Sequence, residues 1–265
     1  MLKVYPTLDF FSLFRPITKP KIWAYLSYVD IVNQYRRTLL GPVWILLSLV
    51  IFSVAMGTVY SKVFSISFSE YVTYITTGMI AWNWAAGILV GSGMVYVSNS
   101  GLLLDHPVDK SYLIWANAMS QLIVFIHQFP VILFFYIFGL VKVNLNILYI
   151  FPSLAIVFMI NVGLASVLSI VITKYRDFHK ILTNLTIIIM LTTPIFWMTD
   201  IMTGARSLIY LMNPFYYIIE IIRDPLLGKE PSLFKYSVSI LIAISSMLLG
   251  TIMHKKYSKG VVFHL

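Results

Sequence analysis

Long apolar runs separated by short polar stretches dominate this chain. A helix crosses a bilayer with about 20 mainly apolar residues. Six runs qualify: 43–61, 71–97, 112–140, 147–172, 181–198 and 233–253. Backbone groups in lipid must be bonded within the segment, so these runs are expected as helices; nothing has the short alternating segments of a barrel. The second run is long enough to tilt, or to kink near Gly87, Gly91 and Gly93. Ahead of the first run, residues 21–40 place Ile22, Leu26 and Val29 on one stripe and Asp30, Asn33 and Arg37 elsewhere. That spacing predicts an amphipathic helix in the membrane interface. Arg36-Arg37 and Gly41-Pro42 follow it as a basic flank and a hinge-and-start signal for the first span. Residues 199–232 are too long for a plain hairpin and too mixed for a clean span, and predict short helices dipping part-way into the membrane. Such re-entrant backbone is tolerated only under cover of protein or a water-filled cavity. The expected fold is all-α: a polytopic membrane protein with six transmembrane helices, an N-terminal interface helix and a re-entrant helical region before the last span. Residues 1–265 form a single transmembrane domain, with 1–42 as the N-terminal segment, 43–253 as the spans and 254–265 as the tail.

Composition supports the pattern. Of 265 residues, 59% are hydrophobic and 11% charged, against roughly 25% charged in an average soluble domain. This excludes a cytosolic enzyme, a secreted domain and a disordered tail. The net charge of +9 is a topology signal. With the N-terminus inside, 13 of the 19 Lys and Arg fall in 1–42, 98–111, 173–180 and 254–265, so both termini are expected in the cytoplasm and no nucleic acid is expected as a partner. The first forty residues do not read as a cleaved signal peptide, because Pro6, Asp9, Arg15, Pro16 and Lys19 break their apolar runs. Absence of cysteine excludes disulfides, thiolate nucleophiles and Cys-ligated metal. No GxxxxGK[ST] stretch occurs, so ATP-driven work requires an ATPase on another polypeptide.

Catalytic chemistry is sparse. Asp105 and Asp109 in Asp105-His106-Pro107-Val108-Asp109 have a spacing able to hold a divalent ion against a lipid diphosphate, but the flanks of known lipid phosphotransferase motifs are missing. No catalytic residue and no metal site are assigned. His127 is the one titratable residue near mid-span, and the near absence of charge within the runs disfavours ion-coupled transport. Asn83, Asn117, Gln121 and Asn161 are candidates for polar glue between helices. Aromatic residues make up 15% of the chain. Part of this is an interfacial belt, to which Tyr5, Trp23, Tyr25, Tyr28 and Tyr35 are suited. Trp82, Trp84, Phe196 and Trp197, with Tyr216 and Tyr217 of the re-entrant stretch, are candidates for a path that slides an oligosaccharide past flat apolar faces with hydrogen-bonding tips.

Four segments carry a family resemblance. Arg36-Arg37-Thr38-Leu39-Leu40-Gly41-Pro42-Val43-Trp44 resembles the YRRSxLGPLW stretch of polysaccharide-export ABC transporter permeases. Lys174-Tyr175-Arg176-Asp177-Phe178 resembles their KYRD(I/F) turn between spans four and five. Thr193-Pro194-Ile195-Phe196-Trp197 resembles their SPIFY/W, and Asn213-Pro214-Phe215 their NP element. Order, spacing and span layout match over nearly the whole chain. The resemblance implies a homodimeric half-transporter in a bacterial inner membrane, two copies of a separate ATPase subunit that binds the ATP and Mg, and a lipid-linked polysaccharide such as O antigen as cargo. Capsular polysaccharide and teichoic acid are sibling cargoes. A drug or lipid efflux permease is a further alternative, and a membrane glycosyltransferase or lipid phosphotransferase a non-transport one. By position, Leu104, Asp105, His106, Pro107, Val108 and Asp109 correspond to the family's coupling helix on the ATPase; Pro107 of its FPxxxLP pattern is kept and the Phe is not. Tyr175, Arg176 and Asp177 would form a cytoplasmic turn, with a local Arg176–Asp177 ion pair.

Overall fold

The computed structural model describes residues 10–106, 108–201 and 204–265. Tyr5 and Pro107 lie outside the described residues, as do the first nine positions of the N-terminal segment. The chain is all-helical among the described residues. A 3₁₀ segment, Phe10–Thr18, precedes α1 (Pro20–Tyr35). The long helices follow as α2 (Val43–Val63), α3 (Phe68–Ser98), α5 (Lys110–Ile137) and α6 (Leu145–Lys174), with the short α4 (Ser100–Asp105) between α3 and α5. Then come α7 (Asp177–Thr192), α8 (Pro214–Leu226) and α9 (Leu233–Tyr257).

Among the described residues five helices, all but one of the six expected spans, are long and apolar enough to cross a membrane. The fifth expected span, 181–198, is the 16-residue α7 followed by an irregular, turning segment. Its length is about 24 Å at 1.5 Å per residue, short of the ~30 Å hydrocarbon core. Thr193, preceding Pro194, takes an extended conformation (φ −94°, ψ 136°) and ends the helix. The kink expected in the second run is present as a widened π turn over Gly87–Gly91 and a 3₁₀ turn over Ser92–Met94.

α3 and α6 are mostly buried, whereas α2 and α9 turn most of their apolar surface outward. The closest crossing joins α6 to α9. Gly163 lies against the backbone of Ser246 and Met247, and Gly250 against that of Gly163. Ser166 Oγ donates to the Gly250 carbonyl at 3.0 Å. Small residues let the two backbones approach, as in membrane helix pairs generally.

The region read as an interface helix is helical over Pro20–Tyr35 and lies along α5. Trp23 packs on Trp115 (5.7 Å between ring centroids), and Tyr35 meets His127 edge-on (5.8 Å). Twelve residues separate the contacts on each helix, so the two run side by side for about 18 Å. Ile22, Tyr25, Tyr28 and Val32 stay exposed for lipid. The chain then turns sharply into α2: Arg37 (φ 65°) and Gly41 (φ 52°) are both left-handed, and the Gly41 N–H donates to Thr38 Oγ1 at 3.1 Å. The preceding 3₁₀ segment is held by Trp115 Nε1 on the Leu13 carbonyl (2.8 Å) and Trp23 Nε1 on the Pro16 carbonyl (2.9 Å).

A Cβ at position 163 would collide with backbone that has no room to move. Gly163→Val is expected to destabilise the protein by about 1–3 kcal/mol or more and to lower its thermal midpoint in detergent. Gly101→Ala, where the added carbon meets nothing within 4 Å, should melt with the parent; equal melting of both variants would contradict this packing account.

Candidate functional site

Three regions carry the polar and aromatic groups that sequence reading singled out. The first is a buried charge network around α8. Residues 215–226 are buried throughout, yet they include Glu220, Arg223 and Asp224. Arg223 Nη1 donates to Glu220 Oε1 at 2.7 Å and to Tyr74 Oη at 2.9 Å. Its guanidinium carbon stands 4.1 Å from the Tyr74 ring centroid, a cation–π contact. Lys235 of α9 reaches back to Glu220 Oε2 and Asp224 Oδ2, both at 2.8 Å. Two acids and two bases thus cancel. Isolated charges at this depth would be prohibitive, and pairing with hydrogen bonds is what makes them tolerable. Gly78 faces the Arg223 guanidinium, and any side chain there would displace it. Tyr74 Oη shares its single proton between the carbonyls of Pro194 and Trp197, at 2.9 and 3.0 Å, and Tyr71 Oη donates to that of Phe196. The network therefore ties α3, α8, α9 and the Pro194–Trp197 segment together. Asn213 caps α8 through the Phe215 N–H and donates to Thr193 Oγ1 at 2.8 Å.

Beside it runs an aromatic row. Trp197 meets Tyr210 (5.9 Å), Tyr210 meets Tyr216 (4.9 Å), Tyr216 meets Tyr217 (5.1 Å) and Tyr217 meets Phe234 (6.1 Å), all edge-on. Phe196 bridges to Phe52 of α2 at 6.0 Å. Four of the six aromatic path candidates thus gather at this end of the bundle. Trp82 is buried and touches the group only through Phe215. Trp84 lies apart, buried against Phe125 at 4.8 Å, and its indole N–H has no acceptor among the described residues.

The second region lies at the kink of α3. Ser92 Oγ donates to Asn161 Oδ1 and accepts from Asn117 Nδ2 and Gln121 Nε2, each at 3.0 Å. Gln121 Nε2 also reaches the Gly87 carbonyl at 3.1 Å, and Asn161 Nδ2 donates to Gln121 Oε1 at 3.0 Å. These bonds hold α3, α5 and α6 together where the π turn loosens the backbone, the gluing role expected of the amides. Asn83 Nδ2 donates to Gln128 Oε1 at 2.9 Å nearby. Around this hub opens a cavity of about 410 Å³ between α1, α3 and α5. Asp30, on α1, forms part of its wall. The protein around its carboxyl raises the pKa above the ordinary value, partly offset by a hydrogen bond with Ser120. His127 contributes no relay geometry: its ring abuts Tyr35 and its Nδ1 has no partner among the described residues.

The third region is the loop end of the bundle. Leu104, Asp105 and His106 are exposed, and Leu104 keeps 59% of its surface. Asp109 has structural work: it caps α5 through the Ser111 N–H and Oγ and pairs with Arg15 at 3.1 Å. Val108 is half-buried. Arg36 and Arg37 are exposed at the turn, with Gly41 and Pro42 half-buried. Tyr175, Arg176 and Asp177 form an exposed turn into α7. The expected Arg176–Asp177 ion pair is replaced: Arg176 Nη2 donates to the Leu265 carbonyl at 3.0 Å, while Asp177 occupies the first turn of α7, where an acid suits the helix dipole.

Sequence reading placed Glu220 and Arg223 in the re-entrant stretch but missed their network. Its signal was available: an acid at 220, a base at 223 and an acid at 224 share one face of an otherwise apolar helix. Lys235, one element later, was not traceable by spacing.

The profile of a family described as ABC-2 type transporter matches residues 22–227. Among curated relatives, an O-antigen export system permease protein, RfbA, of Klebsiella pneumoniae is 22% identical over 197 residues, covering 74% of this chain and 76% of its own. A second Klebsiella pneumoniae protein of the same name is 22% identical over 187 residues, covering 70% and 72%. The capsule polysaccharide export inner-membrane protein CtrC of Neisseria meningitidis (serogroup A, serotype 4A) is 22% identical over 239 residues, covering 88% and 89%.

Removing one member of the charge network strands the others. Glu220→Gln is expected to cost about 3–5 kcal/mol, read as a lower unfolding midpoint in detergent. The double variant Glu220→Gln/Arg223→Gln should lose clearly less than the sum of the two single losses. Additive losses in that cycle would show that the pair is not coupled.

Proposed function

The chain belongs to the ABC-2 type transporter family, and from that premise we propose that it is the permease subunit of an ATP-driven exporter that moves lipid-linked O-antigen polysaccharide out of the cytoplasm. The observation that carries this reading is the family match over residues 22–227, joined by relatives whose names describe polysaccharide export. Two copies form the working unit in the bacterial inner membrane, with both termini cytoplasmic. A separate ATPase pair binds ATP and Mg and performs the hydrolysis; this chain supplies the membrane path.

The geometry fits such a division of labour. The exposed Leu104, Asp105 and His106 project at the loop end, where an ATPase subunit docks. ATP-driven closure of that pair pushes on α4 and α5. Because α1 lies along α5, and Arg37 and Gly41 turn the chain into α2, the push reaches the first span. At the opposite end, the charge network holds the Pro194–Trp197 segment and the aromatic row against α3. The half-buried rings of Phe196 and Trp197 offer a sliding polymer shallow contacts and no deep trap. Export of capsular polysaccharide is the second reading, favoured by the longer coverage of the Neisseria relative.

A tagged pull-down from native membranes in mild detergent, followed by mass spectrometry, tests the assembly. The account expects a stoichiometric ATP-binding subunit with the parent chain and its loss with Leu104→Glu, while the variant still reaches the membrane. A homogeneous complex without an ATPase would overturn it. Phe196→Ala and Trp197→Ala together should reduce surface glycan several-fold at unchanged protein level; undiminished export would remove these rings from the path.

A further inference from the structure

We propose that the polar cavity between α1, α3 and α5 is a binding site for neutral, hydroxyl-rich sugar units, contained within one subunit. This rests on the export reading above. The cavity, about 410 Å³, falls in the range of roughly 300–1,000 Å³ typical of small-molecule sites.

Its wall chemistry selects the ligand class. Six carboxamides line it: Gln34, Asn83, Asn99, Asn117, Gln121 and Gln128. Each carboxamide both donates and accepts, as a sugar hydroxyl does. Ser98 and Ser120 add hydroxyls of their own. Among the described residues Asp30 is the one carboxylate in the wall, and no Lys or Arg lines it. A diphosphate would meet no cation there and one acid, so the polyprenyl diphosphate end of a glycan lipid is the wrong ligand.

Helix gluing does not account for all of these groups. Ser92, Asn161, Asn117 and Gln121 bond mainly to one another. Asn83 donates to Gln128 across α3 and α5, yet it remains exposed part-way along a membrane-spanning helix, where lipid would be a costly neighbour. Gln34 is likewise exposed, on α1. Since α1 provides one side of the cavity and continues into the turn at Arg37 and Gly41, its movement would open or close the site as the transporter cycles.

The chain has no cysteine, so single probes can be introduced directly. The experiment uses the permease–ATPase complex in nanodiscs, carrying Gln34→Cys or Asn83→Cys in the cavity wall, or Glu230→Cys at the far end as a control. The rate of labelling by a water-soluble methanethiosulfonate is measured with the glycan lipid purified from producing cells, and with polyprenyl diphosphate lacking the glycan. ATP hydrolysis is followed in the same samples. The proposal expects the glycan lipid to slow labelling at positions 34 and 83 about tenfold when it is present at about ten times its Kd, with no change at position 230 and no protection by the bare diphosphate. Equal protection by the bare diphosphate would overturn the sugar assignment in favour of the headgroup. Stimulated ATP hydrolysis without protection at either cavity position would overturn the site and leave the exporter standing. Neither stimulation nor protection would overturn the export reading, and this site with it.

Discussion

A charged or polar group that this chain carries into its apolar interior is costly unless it finds a partner inside the protein, because the surrounding lipid supplies none. That constraint shapes the molecule more than any propensity of its helices. It explains why α8 holds two acids and a base while fully buried: Arg223, Glu220, Asp224 and Lys235 neutralise one another, and Tyr74 accepts a further bond from Arg223. Pairing of this kind adds little net stability over an apolar replacement, but it fixes one arrangement, since any shift of α8 along α3 would strand a charge. The Pro194–Trp197 segment, its helix already ended, satisfies its carbonyls on Tyr71 and Tyr74 and so inherits the same fixed position.

The same rule operates at the kink of α3 with neutral groups. The π turn at Gly87–Gly91 loosens the backbone ladder, and Gln121 reaches the Gly87 carbonyl while Ser92, Asn117 and Asn161 close around it. The bundle is thus tied by ion pairs at one end and by amide hydrogen bonds in its middle, beside α1.

Much of this was legible in the sequence, for identifiable reasons. Lipid imposes length and apolarity on spans, so the long runs gave helices to within a few residues, and Gly87, Gly91 and Gly93 gave the kink. Asn83, Asn117, Gln121 and Asn161 stood out because amides are rare in such runs. Other features had no local signature. The early end of α7 depends on one residue before a proline, Thr193. Bonding of Arg176 to the Leu265 carbonyl joins positions 89 residues apart, and the Arg15–Asp109 pair joins positions 94 apart. The separation of Trp84 from the other aromatic candidates follows from which face of α3 meets α5, which periodicity alone does not determine. The cavity, too, arises only once α1 is seated along α5.

The most direct measurement is transport itself: the complex with its ATPase reconstituted into liposomes, loaded with radiolabelled glycan lipid in the outer leaflet and given external ATP, with glycan protected from an added glycosidase as the readout. The account predicts protection that grows with time, requires hydrolysable ATP and ends when the ATPase is omitted. Protected glycan accumulating at the same rate without ATP, or none accumulating while ATP is hydrolysed, would contradict it.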